Sequence, residues 1–309
     1  MKEIIRGLVT RLIPNSLWLD LRQRPIIARH ARIAELCRAD IEKLRRGEIP
    51  PISLNAKHDF GGKTVIWQYW GQGWNESDLP EVVRLCAWSV DRYKGDCIVV
   101  RLSDSNLHEY IDLPDYIIRL RAYNKAFFAD ILRLALLASY GGVWLDATVL
   151  LTQPIPKDYQ RMEIFIYQRS DEEPEKNFWR ASYYAYYGWH KDFRVRILNS
   201  IMFAQPRNPL IVALYTLLDH YWRCHEQEMD YFFFQIYFHE LVNGAYRSYN
   251  CRIVNDCPVH IVQNLITGGR YGRLTMSEAL NQYPIHKLTY KGVVPEKLQE
   301  LKRNLNYDI

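Results

Sequence analysis

The segment that most constrains the fold runs from Phe127 to Leu151 and joins a helical pattern to a strand pattern through two glycines. Residues 127–140 are rich in Leu and Ala and contain no Gly or Pro, which predicts a helix. Gly141 and Gly142 follow directly, at the position where a left-handed cap typically ends a helix. Residues 143–151 are mostly apolar and predict a short buried strand. The segment therefore predicts a helix that turns back sharply into the core.

Charged residues interrupt this apolar segment. Asp130 and Arg133 are three residues apart, so they share one helix face. An ionised carboxylate in an apolar strand is costly unless it meets a cation or strong donors, and Asp146 is therefore expected to emerge at a functional site. Because side chains alternate along a strand, Asp146 and Thr148 should point the same way. The ordinary alternatives are a surface ion pair on the helix, a strand-end cap at Asp146 and simple packing of Thr148.

Strand and helix patterns alternate along the rest of the chain. Helices are predicted at 25–46, about 78–93, 208–222 and 229–243, and strands at 64–69, 97–102, 163–168 and 200–204. This alternation predicts an α/β fold with a mainly parallel central sheet. Ligands of such sheets bind beyond the carboxyl ends of the strands, so the loop at 71–74 and Asp146 should line one cleft. A variant capping pair, Asp78 with Glu81, would open the second helix.

The net charge of +5 comes from the first 50 residues, which contain eleven Lys or Arg against six Asp or Glu. An apolar stripe of Ile5, Leu8, Val9 and Leu12 lies there, with Lys2, Arg6 and Arg11 elsewhere on the predicted helix. Such a segment would bind an anionic inner membrane surface, or else pack on the main domain with its arginines solvated. The apolar runs are too short to span a bilayer, and the arginines interrupt any signal-peptide core. We therefore expect a cytoplasmic protein, peripheral on the membrane if the segment binds lipid.

The remaining composition excludes other classes of protein. Residues 51–309 hold 29 basic and 29 acidic residues and no recognition motif, which argues against a nucleic-acid partner. The six cysteines form no CxxC pair and match no zinc-site spacing, so reduced thiols are expected. Aromatic residues make up 14% of the chain, which suits stacking on sugars or bases as well as core packing. Pro50-Pro51 predicts a boundary between an N-terminal extension at 1–50 and a main domain at 51–309.

Several motifs together resemble a known family. They are Ala129-Asp130, Arg133, Tyr140-Gly141-Gly142 and Trp144-Leu145-Asp146. This pattern resembles the sugar-nucleotide signature of GT-A glycosyltransferases, in particular the capsular polysaccharide synthesis proteins, which are related to glycosyltransferase family 32 and to glucosylating bacterial toxins. The strand at 65–71 resembles the first strand of these enzymes. The resemblance is good over about 60–155 and looser to about 290, and it implies a GT-A, Rossmann-like fold with a donor half at 60–155 and an acceptor half at 156–309.

The resemblance also implies an activity and a site. It implies retaining transfer of a hexosyl residue from a nucleotide-sugar, typically a UDP-sugar, to a lipid-linked surface or capsular polysaccharide intermediate. The implied donor site consists of Gln68, Trp70, Asp130, Arg133, Gly141, Gly142, Asp146 and Lys287. Asp130 and Arg133 would hold the sugar hydroxyls and ribose, and Asp146 would face the ribose and the metal-diphosphate. These three would be the catalytic residues, and Trp70 with Gln68 would border the nucleobase pocket.

The chain departs from the family at the metal motif. That motif usually has two aspartates separated by one residue, and the second commonly ligates the metal, but Thr148 stands in the second place here. A neutral hydroxyl is a weaker ligand for Mn²⁺ or Mg²⁺ than a carboxylate. The expected ligands are Asp146, Thr148 and, because some GT-A enzymes recruit a late histidine, His286. Alternatively, Lys287 or Lys291 would cover the diphosphate electrostatically.

The acceptor side and the function each leave alternatives open. The aromatic stretch at 178–189, with Trp189, and Asp230 are candidates for acceptor binding, although core packing and helix capping explain them as well. Thr148 is also compatible with a nucleotide-sugar-binding scaffold with little catalytic activity. A sugar nucleotidyltransferase would need a glycine-rich phosphate loop near its N-terminus, and the aromatic loop at 71–74 lacks that composition.

Overall fold

The structure is a computed structural model that describes residues 15–52 and 54–307. Its strands are β1 (Val65–Tyr69), β2 (Ile98–Leu102), β3 (Gly142–Leu145), β4 (Val149–Leu151), β5 (Ile164–Gln168), β6 (Ile197–Ala204) and β7 (Ile285–Lys287). Its α-helices are α1 (Asn15–Arg45), α2 (Glu81–Tyr93), α3 (Asp115–Ile118), α4 (Leu120–Tyr123), α5 (Lys125–Tyr140), α6 (Lys157–Gln160), α7 (Lys176–Ser182), α8 (Pro209–Cys224), α9 (Phe233–Val242), α10 (Ile261–Ile266), α11 (Met276–Gln282) and α12 (Pro295–Asn304).

A five-stranded sheet in the order β2-β1-β3-β6-β5 forms the centre. β1 pairs in parallel with both β2 and β3, whereas β6 runs antiparallel to β3 and β5. Four of the five strands therefore point in one direction. The predicted α/β class with a mainly parallel central sheet is confirmed.

Both faces of this sheet are buried, which explains why its strands are apolar almost throughout. Trp67 and Trp144 lie on one face, within the core cluster that includes the apolar side of α5. Ile66 and Val143 lie on the other face, with β4 and part of α2. Successive side chains of each strand therefore point into two different hydrophobic clusters, one on each face of the sheet, and neither face is open to solvent.

The predicted glycine junction is present and has a steric cause. α5 ends at Tyr140, and Gly141 and Gly142 both have positive φ, at 66° and 93°. A Cβ on Gly142 would lie 2.4 Å from the Val65 carbonyl oxygen, and one on Gly141 would lie 2.6 Å from Pro206. Only glycine allows the chain to turn here while β3 approaches β1 this closely.

The apolar run at 143–151 is not one strand, as predicted, but two. β3 ends at Leu145, a turn follows, and β4 then pairs antiparallel with β7 in a separate two-stranded sheet. The turn is closed by a hydrogen bond from the Val149 amide to the Asp146 carbonyl, at 2.9 Å. Uniform apolarity does not reveal such a break, because both halves are buried against different partners.

Two predictions at helix starts are also wrong. The first described helix spans Asn15–Arg45, so it extends ten residues before the expected start and contains Pro25 in its interior. α2 has Pro80 at its N-cap without a side-chain cap, so Asp78 and Glu81 form no capping pair. Asp78 instead ends a short 3-10 turn at Glu76–Asp78.

α1 packs along the main domain. Ile33, Ala34 and Cys37 are buried in the large core cluster. The side-chain amide of Gln23 donates to the carbonyl oxygens of Tyr184 and Tyr187, at 2.8 and 2.7 Å. The predicted stripe at 5–12 lies outside the described residues. Among the helices that the structure describes, none is long and apolar enough to cross a membrane. All six cysteines are free thiols.

Candidate active site

A cavity of about 730 Å³ opens at the carboxyl ends of β1 and β3. Its walls include Trp70 after β1, Asp130 and Arg133 from α5, Asp146 after β3, and Lys287 from β7. Parallel strands bring their carboxyl ends to one edge, so the loops that leave β1 and β3 meet there. The expectation that the loop after the first strand and Asp146 line one cleft is therefore confirmed.

Arg133 bridges the two acidic residues of the site. Its Nη2 atom lies 3.3 Å from Asp130 Oδ1 and 3.5 Å from Asp146 Oδ1. Its remaining donors are fixed by backbone oxygens, with Nη1 at 2.5 Å from the Asn199 carbonyl and Nε at 3.2 Å from the Ala129 carbonyl. The residue is only 4% exposed. The guanidinium is thus held in one place between two carboxyl groups.

Asp130 is the more buried of these acids, at 7% exposed. It accepts a hydrogen bond of 2.9 Å from the Asn199 side-chain amide. Burial raises the pKa of Asp130 to about 7, Arg133 opposes that rise, and the neighbouring Asp146 adds to it. Near neutral pH this carboxyl group is therefore present in both protonation states and can donate or accept a hydrogen bond.

Asp146 has the opposite electrostatic setting. Burial alone would raise its pKa, but Arg133 and Lys287, with hydrogen bonds from Trp144 and Ser200, hold the pKa below its usual value. Trp144 Nε1 donates to Oδ1 at 2.8 Å, and the backbone amide of Asp146 donates to the Ser200 carbonyl at 3.0 Å. Its side chain is 25% exposed to the cavity. Asp146 is therefore ionised at neutral pH.

Lys287 stands over the turn that follows Asp146. β7 pairs with β4 in a register that sets Lys287 opposite Val149. The Lys287 ammonium donates to the Thr148 hydroxyl and, at 3.2 Å, to the Leu288 carbonyl. It also lies 3.6 Å from Asp146 Oδ2. Asp146 and Thr148 do face the same cavity, although a turn rather than a continuous strand places them there.

The divalent metal that the family resemblance implies does not fit these donors. Cations or donors face both oxygens of Asp146, and the Thr148 hydroxyl accepts from Lys287. His286 is fully buried and does not line the cavity, and burial lowers its pKa to about 4. Within residues 15–52 and 54–307, no three His, Cys, Asp or Glu side chains are close enough to hold a metal ion. The structure thus does not bring His286 to the site.

Three predicted donor residues also lie elsewhere. Gln68 is fully buried, accepts from Arg101 at 3.3 Å and does not line the cavity. Gly141 and Gly142 lie at the amino end of β3, whereas the cavity lies at its carboxyl end. The glycines are required for the helix–sheet junction described above, so their role is structural. Trp70 does reach the cavity, where its ring meets Tyr290 edge-on at 5.4 Å between centroids.

Neither predicted acceptor residue lines the cavity. Trp189 donates through Nε1 to the Ser170 carbonyl at 2.7 Å. Asp230 is buried, forms an ion pair with Arg29 of α1, and accepts from the Phe232 amide at 2.8 Å just before α9. Packing and local hydrogen bonding explain both residues.

Polar residues that the sequence reasoning missed complete the cavity. Asn199 and Ser200 lie in β6, within the otherwise apolar run ILNSIMFA. A polar pair inside an apolar strand is the same signal that pointed to Asp146, so it would have found them. Gln235 and Asn264 also line the cavity, and their side-chain oxygens are buried without a hydrogen-bond partner. Each of these two residues therefore brings unmet hydrogen-bonding capacity to the cavity wall.

A second arginine supports the far wall. Arg169 and Asp256 are fully buried and form a bidentate pair, with Nε–Oδ1 at 2.6 Å and Nη2–Oδ2 at 2.7 Å. Tyr186 donates to Asp256 Oδ2 at 2.9 Å, and the Asp256 carbonyl lies 3.0 Å from His260 Nδ1. Tyr186 and His260 both line the cavity. The pair therefore fixes part of the wall without facing the ligand space itself.

Residues 21–305 match the family model described as "Capsular polysaccharide synthesis protein". The chain belongs to this family. The match confirms the resemblance drawn from the Asp130, Arg133 and Asp146 motifs. A solved structure, "PaToxG Glycosyltransferase", is similar at 10% identity and a TM-score of 0.33, over 93% of this chain and 96% of that one. No curated protein sequence matches the chain.

Proposed function

We propose that the protein is a glycosyltransferase that transfers a hexosyl residue from a nucleotide-sugar, with a UDP-sugar as the first candidate, to a growing capsular or related surface glycan. The observation that carries the proposal is the arrangement of Arg133 between Asp130 and Asp146 at the carboxyl edge of the sheet. This edge is where α/β folds bind their ligands, and the family is one of capsular polysaccharide synthesis.

The donor would lie across the cavity from Trp70 to Arg133. Trp70 and Tyr290, whose rings meet edge-on, each offer an aromatic face on which the nucleobase could stack. Asp130 and Arg133 would hold hydroxyls of the sugar and ribose, and Asp146 would accept from ribose hydroxyls. The raised pKa of Asp130 suits this role, because a carboxyl group with a pKa of about 7 can donate a hydrogen bond to a hydroxyl or accept one from it.

Transfer would break the bond between the anomeric carbon and the diphosphate, so negative charge would grow on the leaving oxygen. Fixed cations at the site stabilise such charge without reorganising during the reaction. We propose retention of the anomeric configuration, with the leaving phosphate oxygen taking the proton of the acceptor hydroxyl. This route assigns no protein nucleophile, in line with the ion-paired states of Asp130 and Asp146.

The acceptor would approach from the wall formed by α9 and α10. Gln235 and Asn264 offer buried oxygens without partners, and Tyr183 and Tyr231 line the same cavity. Hydroxyls and flat sugar faces are the groups that such a wall binds. We further propose that the acceptor is lipid-linked and that the basic N-terminal segment contacts the inner membrane surface, which the charge of residues 1–50 motivates.

The test is turnover of a panel of nucleotide-sugars, followed by release of the nucleoside diphosphate with and without short glycan acceptors. One donor should be turned over, and Asp146→Ala and Arg133→Ala should abolish turnover while thermal unfolding shows folded proteins. Full activity in both variants would refute the site. Proton NMR of the product would show whether the anomeric configuration is retained, and liposome co-sedimentation of the full chain would test the membrane contact.

A further inference from the structure

The ammonium of Lys287 lies beside Asp146 and against Thr148, the residue that stands where the family motif has its second aspartate. Lys287 Nζ contacts the Thr148 hydroxyl and lies 3.6 Å from Asp146 Oδ2. Thr148 is neutral, so the second position of the motif lacks the negative charge that would help to draw a divalent cation. The lysine side chain is 19% exposed and lines the cavity, so a ligand can reach it.

We propose that Lys287 takes the place of the divalent metal, so that this site binds and neutralises the donor diphosphate without Mn²⁺ or Mg²⁺. This inference rests on the proposed function, because it concerns the same donor site. Lys287 and Arg133 supply two positive charges, against the ionised carboxylate of Asp146 and the carboxyl group of Asp130, which is protonated in part near neutral pH. The site is thus already positive before a donor arrives, and a lysine is an established partner of phosphate groups.

The backbone places Lys287 in this role with little freedom. The Leu288 amide donates to the Thr148 carbonyl at 2.8 Å, which ties the end of β7 to the turn after Asp146. Strand alternation then sends His286 into the core and Lys287 into the cavity. Two hydrogens of the ammonium are accepted by Thr148 and by the Leu288 carbonyl.

The contact to Asp146, at 3.6 Å, is longer than a hydrogen bond. The third hydrogen of the ammonium is therefore available to a phosphate oxygen. A divalent cation placed between Asp146 and Thr148 would instead lie beside this ammonium and be repelled by it. The geometry that anchors the lysine is thus the geometry that opposes the metal.

The test is isothermal titration of the full chain with UDP, GDP, CDP and dTDP, in excess EDTA and in Mn²⁺. At least one diphosphate should bind with a dissociation constant that differs by no more than about threefold between the two conditions, well under the tenfold that corresponds to 1.4 kcal/mol. Electron paramagnetic resonance of Mn²⁺ in the presence of that diphosphate should show no protein-bound ion. These two readouts do not depend on turnover.

Substitutions at Lys287 and at a control lysine test whether the Lys287 charge is what binds the diphosphate. Lys287→Met keeps the apolar stem but removes the charge, and it should weaken diphosphate binding about tenfold or more in both conditions. Lys297→Met is the matched control, because this exposed lysine pairs with Glu300 on α12, and binding should not change. Thr148→Asp combined with Lys287→Met should restore diphosphate binding only in Mn²⁺, with a bound manganese signal.

The outcomes separate the two proposals. Binding by the unaltered protein that requires Mn²⁺ would overturn the role of Lys287 while leaving a nucleotide-sugar enzyme in place. Equal binding by a folded Lys287→Met variant would also overturn it. Failure of every diphosphate to bind in either condition would refute the donor site itself, and the inference with it. If Lys287→Met does not fold, the EDTA titration of the unaltered protein still decides the question.

Discussion

Arg169 and Arg133 both form ion pairs with aspartates among aromatic rings, but the number and length of their contacts differ. Arg169 lies over the rings of Tyr186 and Tyr187 and forms two short hydrogen bonds to one fully buried aspartate. Arg133 lies over Trp144 and is shared between two acids at 3.3 and 3.5 Å. The first pair is complete and sealed. The second is incomplete and faces a cavity.

The two ion pairs also differ in the pKa values of their aspartates. The Arg169 partner, Asp256, is fully buried, yet the guanidinium and the Tyr186 hydroxyl hold its pKa below the usual value despite burial. Asp130 is buried almost as deeply, but burial raises its pKa to about 7, because the shared Arg133 offsets the cost of burial only in part and the neighbouring Asp146 adds to the rise. A buried ion pair whose hydrogen bonds are all satisfied within the protein supports structure. Charged groups that face a cavity with hydrogen-bonding capacity to spare can also bind a ligand.

The largest effect, on the free energy of unfolding, is expected from breaking the Arg169–Asp256 pair. Asp256→Ala leaves the Arg169 guanidinium buried without a partner, which should lower the free energy of unfolding by about 3–5 kcal/mol. Urea denaturation measures this. Replacing both partners by apolar residues, Arg169→Met with Asp256→Leu, should recover most of the loss, since no charge is then left unpaired. A loss below about 1 kcal/mol in the single variant would contradict the assigned role.

The incomplete pair should respond in activity instead. Asp146→Asn keeps the shape of the side chain but removes its charge, and donor turnover should fall about 100-fold or more, as for loss of one fixed polar group at a reacting centre. Because this side chain already faces the cavity, the free energy of unfolding should change by less than about 1 kcal/mol. Steady-state kinetics and urea denaturation on the same preparation give both numbers. A large loss of stability with unchanged turnover would show that Asp146, like Asp256, has a structural role, and would contradict the comparison.

A pH titration sharpens the contrast through Asp130. Its native pKa, about 7, lies above the ordinary value of 3.8, so the folded state holds a proton that the unfolded state has released between these values. Stability contributed by this group is present below pH 4 and is lost as pH rises towards 7, by at most about 1.4 kcal/mol per pH unit. Asp130→Asn should remove that slope. Matching slopes in the two proteins between pH 4 and 7 would refute the raised pKa. The native pKa of Asp146 lies below its ordinary value of 3.8, so its contribution to stability is lost only as pH falls below about 4, and it does not mask the slope.

The smallest effect concerns Gln235 on the acceptor wall. Its buried oxygen has no partner, so Gln235→Leu should leave the free energy of unfolding unchanged or slightly higher. Loss of one hydrogen bond to a sugar hydroxyl should raise the acceptor KM about fivefold, which corresponds to about 1 kcal/mol. Gln282→Leu on the exposed side of α11 is the matched control. An unchanged KM would remove Gln235 from the site.

Local sequence patterns were sufficient to predict the α5–glycine–β3 segment and the convergence of its charged residues. Helical spacing placed Asp130 beside Arg133, and the cost of burying Asp146 pointed to an opening in the core. These inferences needed only neighbours in sequence and the general topology of a parallel sheet. They correctly gave the wall of the cavity that α5 and β3 provide.

Contacts between distant segments were beyond those patterns. Lys287 reaches Thr148 across 139 positions, and Arg29 of α1 pairs with Asp230 before α9. Gln68 looked like a donor residue because it shares a strand with Trp70, but Arg101 of the neighbouring strand binds it inside the protein. The split of 143–151 was invisible for a related reason, since only β7 shows that the second half belongs to another sheet.

The short strand β7 also sets the order in which the site is completed during synthesis. It spans three residues, Ile285–Lys287, of a 309-residue chain, yet it contributes the ammonium that sits beside Asp146. The ribosome must therefore synthesise the chain through residue 287 before all the charged side chains of the cavity are present. Chains that stop before residue 285 would carry the α5 and β3 residues without their lysine, so an unfinished protein would lack the complete donor site.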